Sequence, residues 1–147
     1  MQEEPIDPDV DLKVRTRQGP ILLAIAAGGV VGAEARYLLS VALPHQPTGF
    51  PLATFIINAL GCLLIGVLMV VVTEAFTVNR LVRPFLGVGV LGGFTTFSTY
   101  ASDVVALADH AAVGVAVAYL VTTPLVAVAA AWCGVAVTRR VFGKSAG

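Results

Sequence analysis

Residues 92–103, GGFTTFSTYASD, decide how this chain is read. An apolar run long enough to belong in a membrane leads into them. Two glycines, three threonines, two serines and a carboxylate then follow within twelve positions. At membrane depth every backbone and side-chain polar group must find a partner inside the protein, so such a cluster is expensive unless it is used. Gly87, Gly89, Gly92 and Gly93 weaken a helix ahead of Thr95, Thr96 and Thr99, which are β-branched and poor helix formers. The pattern predicts an interruption near Gly92–Thr95. Broken backbone at that depth persists only when enclosed by protein or lining a polar site. Its carbonyls suit a hard monovalent cation, and the N-terminus of the half-helix beyond it suits an anion. Phe97 and Tyr100, three apart, share a face, with Ser98 and Thr99 adding hydroxyls. Aromatic ring edges are electropositive, so rings presented edge-on touch a small anion without supplying a full charge.

The rest of the chain supports a membrane setting. Of 147 residues, 57% are hydrophobic and only 12% charged, with mean hydropathy +0.89. A soluble domain carries roughly 25% charged residues, so this chain has too few to cover itself in water. Net charge is zero and no dense Lys/Arg cluster tracks a phosphate backbone, which argues against nucleic acid. Residues 1–19 read as a polar, disordered tail, 20–142 as the membrane domain and 143–147 as a short C-terminal tail. A hydrocarbon core of about 30 Å takes about 20 residues per helix, and four segments qualify. They are Pro20 to Leu43, Phe50 to Thr73, Arg83 to Ala108 and Ala111 to Val137. The expected fold is therefore all-α and integral to the membrane, with four transmembrane helices. Cys62 and Cys133 sit in apolar runs and read as packing residues.

Charged loops orient the spans. Lys13, Arg15 and Arg17 precede the first, Arg80 and Arg83 lie between the second and third, and Arg139, Arg140 and Lys144 follow the fourth. The two remaining loops contain no Lys or Arg. By the positive-inside rule both termini are cytoplasmic in a multi-pass protein of the cell membrane. Inside the spans the polar exceptions carry the information. Glu34 and Arg36, about 200° apart on a helix, do not pair on one face. Gly28 and Gly32 have the spacing of close helix packing. Thr54 and Asn58 share a face one turn apart, as interhelical glue or as pathway donors. Tyr119, Thr122 and Thr123 precede Pro124, which frees backbone groups that a neighbouring Thr hydroxyl can satisfy, so a purely structural reading of Thr122 is available.

The segments GGVVGAEARY, TFIINALGCLLIG and GGFTTFSTYASD together resemble the CrcB/Fluc family of fluoride channels, in order and across the whole membrane domain. The resemblance implies a passive, fluoride-specific ion channel that lowers cytoplasmic fluoride. It further implies an antiparallel dimer with two pores and a structural sodium ion at the dimer centre. Carried over by motif, the sodium ligands are the backbone carbonyls of Gly92 and Thr95. The fluoride pathway takes in Asn58, Phe97, Tyr100, Thr54, Ser98, Thr99, Tyr119, Thr123 and Arg36. Three positions depart from the family pattern: Tyr100 where Phe is common, Asp103 where Glu is common, and Ala127 where a serine often continues the polar track.

The loop charges, eight against none, predict a single orientation. An antiparallel dimer then requires either an oppositely oriented homologue as partner or self-assembly that overrides the charges. A small proton-coupled multidrug exporter using Glu34 is the alternative function; it leaves the hydroxyl run of the third span idle. An assembly protein using the glycines for packing alone is a weaker one. An enzyme is not expected: Ser98, Asp103 and His110 form no recognised triad context, and neither a nucleophile elbow nor a metal-ligand motif is present.

Overall fold

The computed structural model describes residues 18–75 and 79–142. Within them every regular element is helical. Helix α1 spans Gln18–Ala42 and α2 spans Leu52–Val70, the latter continuing through a wide π-helical turn, Val71–Ala75. The third span comes in two pieces. Its first piece, α3, is a π-helical stretch, Arg83–Leu91, running into a single α-turn, Gly92–Phe94; its second, α4, is Phe97–Asp109. Helix α5 spans Val113–Phe142. Among the described residues, three helices are long and apolar enough to cross a membrane by themselves: α1, α2 with its extension to Thr73, and α5. The third span is divided, and neither piece alone has that length. Of the expected tails, Gln18 and Gly19 prove to be the first residues of α1; residues 1–17 and 143–147, and with them Lys13, Arg15, Arg17 and Lys144, lie outside the described residues.

The helices pair through glycines. A Cβ built on Gly28 would run into the Phe85 carbonyl and stand 2.9 Å from the Val90 amide nitrogen; one on Gly32 would run into the Val90 carbonyl. From the opposite side, a Cβ on Gly89 would lie 2.7 Å from the Ile25 carbonyl oxygen, and one on Gly93 2.6 Å from that of Gly29. Helices α1 and α3 therefore touch backbone to backbone, where dispersion and Cα–H···O contacts replace the hydrophobic effect that lipid cannot supply. The pair α2 and α5 repeats the device, Gly66 against the Ala131 carbonyl and Gly134 against that of Leu63. Helix α4 lies on α5 through Tyr100, Leu107, Ala116 and Tyr119, with Phe50 and Phe55 packed alongside.

The interruption falls at Thr95 and Thr96, the C-terminal edge of the expected range. Thr95 (φ −76°, ψ 156°) and Thr96 (φ −150°, ψ 124°) are extended, whereas Gly92 keeps helical angles (φ −65°, ψ −37°). The reason is the packing just described. Gly89 and Gly93 are held against α1, so they serve close approach, and the break passes to the first two β-branched residues beyond them. Outward faces of α1 and α5 carry exposed Leu23, Val30, Leu125, Val128 and Trp132, the surface that lipid or another apolar partner covers.

Candidate functional site

The broken segment is held by a side-chain amide. Asn58 on α2 donates through Nδ2 to the Thr96 carbonyl at 3.0 Å, and its Oδ1 accepts from the Thr96 N–H at 2.9 Å. One asparagine thus satisfies both backbone groups of a residue that no longer belongs to a helix. Because the Thr96 N–H turns to Asn58, the Gly92 carbonyl loses the donor four residues ahead that a continuous helix would provide. On the far side of the break, Thr96 caps α4: its Oγ1 accepts from the Thr99 N–H at 3.1 Å and donates to Thr99 Oγ1 at 3.0 Å. Ser98 Oγ lies 3.3 Å from the same oxygen. Before the break, Thr95 Oγ1 donates back to the Leu91 carbonyl at 2.9 Å. The Thr95 carbonyl points away from its own helix, and Arg36 Nη1 reaches it from α1 at 3.5 Å, a long contact.

Beside this clamp opens a pocket of about 290 Å³. Asn58, Thr95, Thr96, Phe97 and Tyr100 line it with Cys62, Thr123, Pro124 and Ala127. The Thr123 hydroxyl is buried and has no hydrogen-bond partner among the described residues. Asn58 has a second Nδ2 hydrogen that Thr96 does not use, so the wall carries an amide group, the Thr123 hydroxyl and the N-terminal end of α4. Two rings complete it, Phe97 and Tyr100, with centroids 5.7 Å apart and planes at 53°. They differ in setting: Phe97 is 79% exposed at the rim of the isolated chain, Tyr100 only 8%. The Tyr100 hydroxyl donates to the Leu120 carbonyl on α5 at 2.7 Å.

The residues named from sequence therefore divide. Asn58, Phe97, Tyr100 and Thr123 line the pocket, as does Thr95; Ser98 and Thr99 belong to the cap of α4. Tyr119 and Thr54 lie in a second polar group below it. The fully buried Tyr119 hydroxyl donates to Asp103 Oδ2 at 3.2 Å, with buried Thr54 close by. The Tyr119 ring packs at 5.3 Å on Tyr100 and edge-on at 5.2 Å on Phe50. Arg36 meets the break from the opposite side, and Gly92 is exposed, with nothing within 4 Å of a Cβ placed there. Glu34 is exposed on α1 and lines no part of the pocket.

A family profile described as CrcB-like protein, Camphor Resistance (CrcB), matches residues 23–135. The chain belongs to the CrcB family. It is 51% identical over 125 residues to a protein of Streptomyces coelicolor named fluoride-specific ion channel FluC 1, covering 85% of this chain and 81% of that one. A Nocardia farcinica protein named fluoride-specific ion channel FluC 2 is likewise 51% identical over 125 residues, 85% of this chain and 89% of its own. At 42% over 120 residues, the fluoride-specific ion channel FluC of Rhodospirillum centenum is matched across 95% of its length and 81% of this chain.

Two features of this CrcB chain go beyond the sequence reading. Thr96 is the hub of the break, bonded to Asn58, Thr99 and Ser98, whereas the sequence gives it only the role of a poor helix former. A signal for the larger role exists, because Thr is a preferred N-cap and the residues after it resume helix. Cys62, read as packing, is a half-buried free thiol on the pocket wall, one turn beyond Asn58 and so on the same face. The proline reading also needs correction. Thr122 Oγ1 donates to the Ala118 carbonyl at 2.7 Å, not to the Leu120 carbonyl that Pro124 frees; that oxygen is met by Tyr100 from another helix.

Proposed function

We infer that this chain is a membrane channel that passes fluoride down its gradient and so lowers cytoplasmic fluoride. Family membership and the names of its relatives support the function; the pocket at the broken helix suggests the route. Fluoride is small and strongly hydrated, so a route must replace its water with weak, multiple donors that let it leave again. The observation that carries this route is the combination at one depth of the Asn58 amide, the unpartnered Thr123 hydroxyl and the Phe97–Tyr100 rings. Arg36 supplies positive potential nearby. Thr54 and Tyr119, with Asp103, form the polar group that leads on from the pocket. The exporter reading required Glu34 in the binding site, and Glu34 lies outside it.

The exposed ring of Phe97 and the open face of Gly92 fit assembly with a second subunit, which we place antiparallel to the first. Sodium would sit where the two breaks meet. The residues present fit such an ion: the Thr95 carbonyl is turned out of its helix, and the Gly92 carbonyl has lost its helical donor. Two carbonyls per chain are an incomplete shell, so both subunits would contribute. Bound there, sodium supplies positive potential and ties the breaks together. The uneven loop charges favour one insertion, with both termini cytoplasmic; the antiparallel partner is then either a second copy whose assembly overrides the charges or an oppositely oriented homologue.

The test is ion efflux from liposomes holding the purified chain. Rapid fluoride release without chloride release, and without dependence on a proton gradient, is the expected result. Proton-coupled export of an organic cation with no fluoride leak would overturn the reading. Cysteine-labelling topology of the chain expressed alone settles partner choice: equal labelling of both orientations removes the need for a second homologue.

A further inference from the structure

Pro124 lies inside α5, on the pocket wall. Proline has no backbone N–H, so the carbonyl four residues earlier, that of Leu120, has no helical donor. An uncovered carbonyl presents partial negative charge. At the wall of an anion route that charge repels the ion, and inside a membrane it also carries a desolvation cost. The Tyr100 hydroxyl donates to this oxygen at 2.7 Å. It does so from α4, across the helix interface, on a ring that itself lines the pocket.

We propose that the Tyr100 hydroxyl shields the proline-exposed Leu120 carbonyl from the permeating anion and, through that bond, sets the position of the second pathway ring. Tyr100 is thus a positioning residue whose hydroxyl faces α5, not the ion. The ring is held from three sides: by the hydroxyl bond, by the Tyr119 ring at 5.3 Å and by the Phe97 ring at 5.7 Å. The pairing also accounts for tyrosine at this position: a phenylalanine beside Pro124 would leave the oxygen bare. The proposal rests on the pocket being the fluoride route.

A double-mutant cycle tests it. Tyr100→Phe, Pro124→Ala and the double variant are purified as full chains, and fluoride efflux and thermal stability are measured for each. Tyr100→Phe lowers fluoride flux by up to about tenfold, the scale of one lost neutral hydrogen bond, and lowers the unfolding temperature. In the Pro124→Ala background the backbone N–H restored by the alanine covers the Leu120 carbonyl, so the same substitution costs markedly less of each. An equal loss of flux in both backgrounds overturns the proposal, because the hydroxyl then acts independently of the proline-exposed carbonyl. No loss in the Pro124 background overturns it as well. Should Tyr100→Phe alone not yield folded protein, recovery on adding Pro124→Ala supports the pairing, and no recovery overturns it. A parent chain that is folded but releases no fluoride refutes the pathway reading and this proposal together, an outcome distinct from the other three, in which the parent conducts.

Discussion

Replacing Asn58 with leucine, close in size and unable to hydrogen-bond, removes the clamp on the break. Two hydrogen bonds of 3.0 and 2.9 Å are lost, and the N–H and C=O of Thr96, a residue only 7% exposed, both lose their partner. Each buried group left unsatisfied costs about 1–3 kcal/mol, so the pair costs about 2–6 kcal/mol. The adjoining pocket admits water to part of the break, which places the expectation in the lower half, about 2–4 kcal/mol. Thr123→Val is the matched control. It too deletes a polar group from the pocket wall, but one that bonds nothing, so it leaves stability unchanged or slightly raised. Denaturant unfolding in mixed micelles, followed by circular dichroism, compares the two variants with the parent. Fluoride efflux is measured on the same preparations. Losing a hydrogen bond to a charged ion costs about 1.5–3 kcal/mol, so each variant slows flux by roughly 10- to 100-fold. Only Asn58→Leu should also destabilise. If Asn58→Leu unfolds within about 0.5 kcal/mol of the parent, the amide does not hold the break, and its place in the site is that of a donor alone.

Gly32→Ala drives a methyl group into the Val90 carbonyl and is expected to cost at least about 1–3 kcal/mol, whereas Gly29→Ala, with nothing within 4 Å, is expected to be neutral; denaturant midpoints compare them. Gly92→Ala meets nothing within 4 Å among the described residues, so the single chain keeps its helicity; a loss confined to dimer content, read by cross-linking, locates Gly92 at the proposed subunit interface. Exchanging sodium for a large organic cation during purification is expected to lower the thermal midpoint of the assembled protein, and an unchanged midpoint would count against the sodium site.

Much of the fold was legible because the membrane limits the choices. Length and hydropathy define the spans, and the polar exceptions mark the site. Glycine has a dual use here. Gly92 and Gly93 before three threonines predict a break near Gly92–Thr95, and it falls at the far edge of that range, at Thr95 and Thr96. The correcting signal was present: Gly28–Gly32 in α1 and Gly89–Gly93 in α3 share the same four-residue spacing, so each pair supplies the small surface that the other needs. Glycines matched in this way are committed to packing, and the interruption must then fall on residues outside the match, Thr95 and Thr96.

The side-chain partners were less legible, for a physical reason. In an apolar chain with nearly continuous hydrophobicity, no periodicity says which face of a helix looks inward. Tyr100 was recognisable as one of two rings sharing a face, and it does line the pocket, yet the destination of its hydroxyl depended on how α4 and α5 cross. A useful rule does emerge from Pro124. A proline inside a spanning helix specifies, from sequence alone, one carbonyl that must find a donor, here that of Leu120. Thr122 and Thr123 were the local candidates, and neither reaches it; Thr122 bonds Ala118 and Thr123 Oγ1 stays unpartnered. When local hydroxyls fail, the donor comes from the helix packed alongside, and the hydroxyl that distinguishes Tyr100 from phenylalanine is the group placed to provide it.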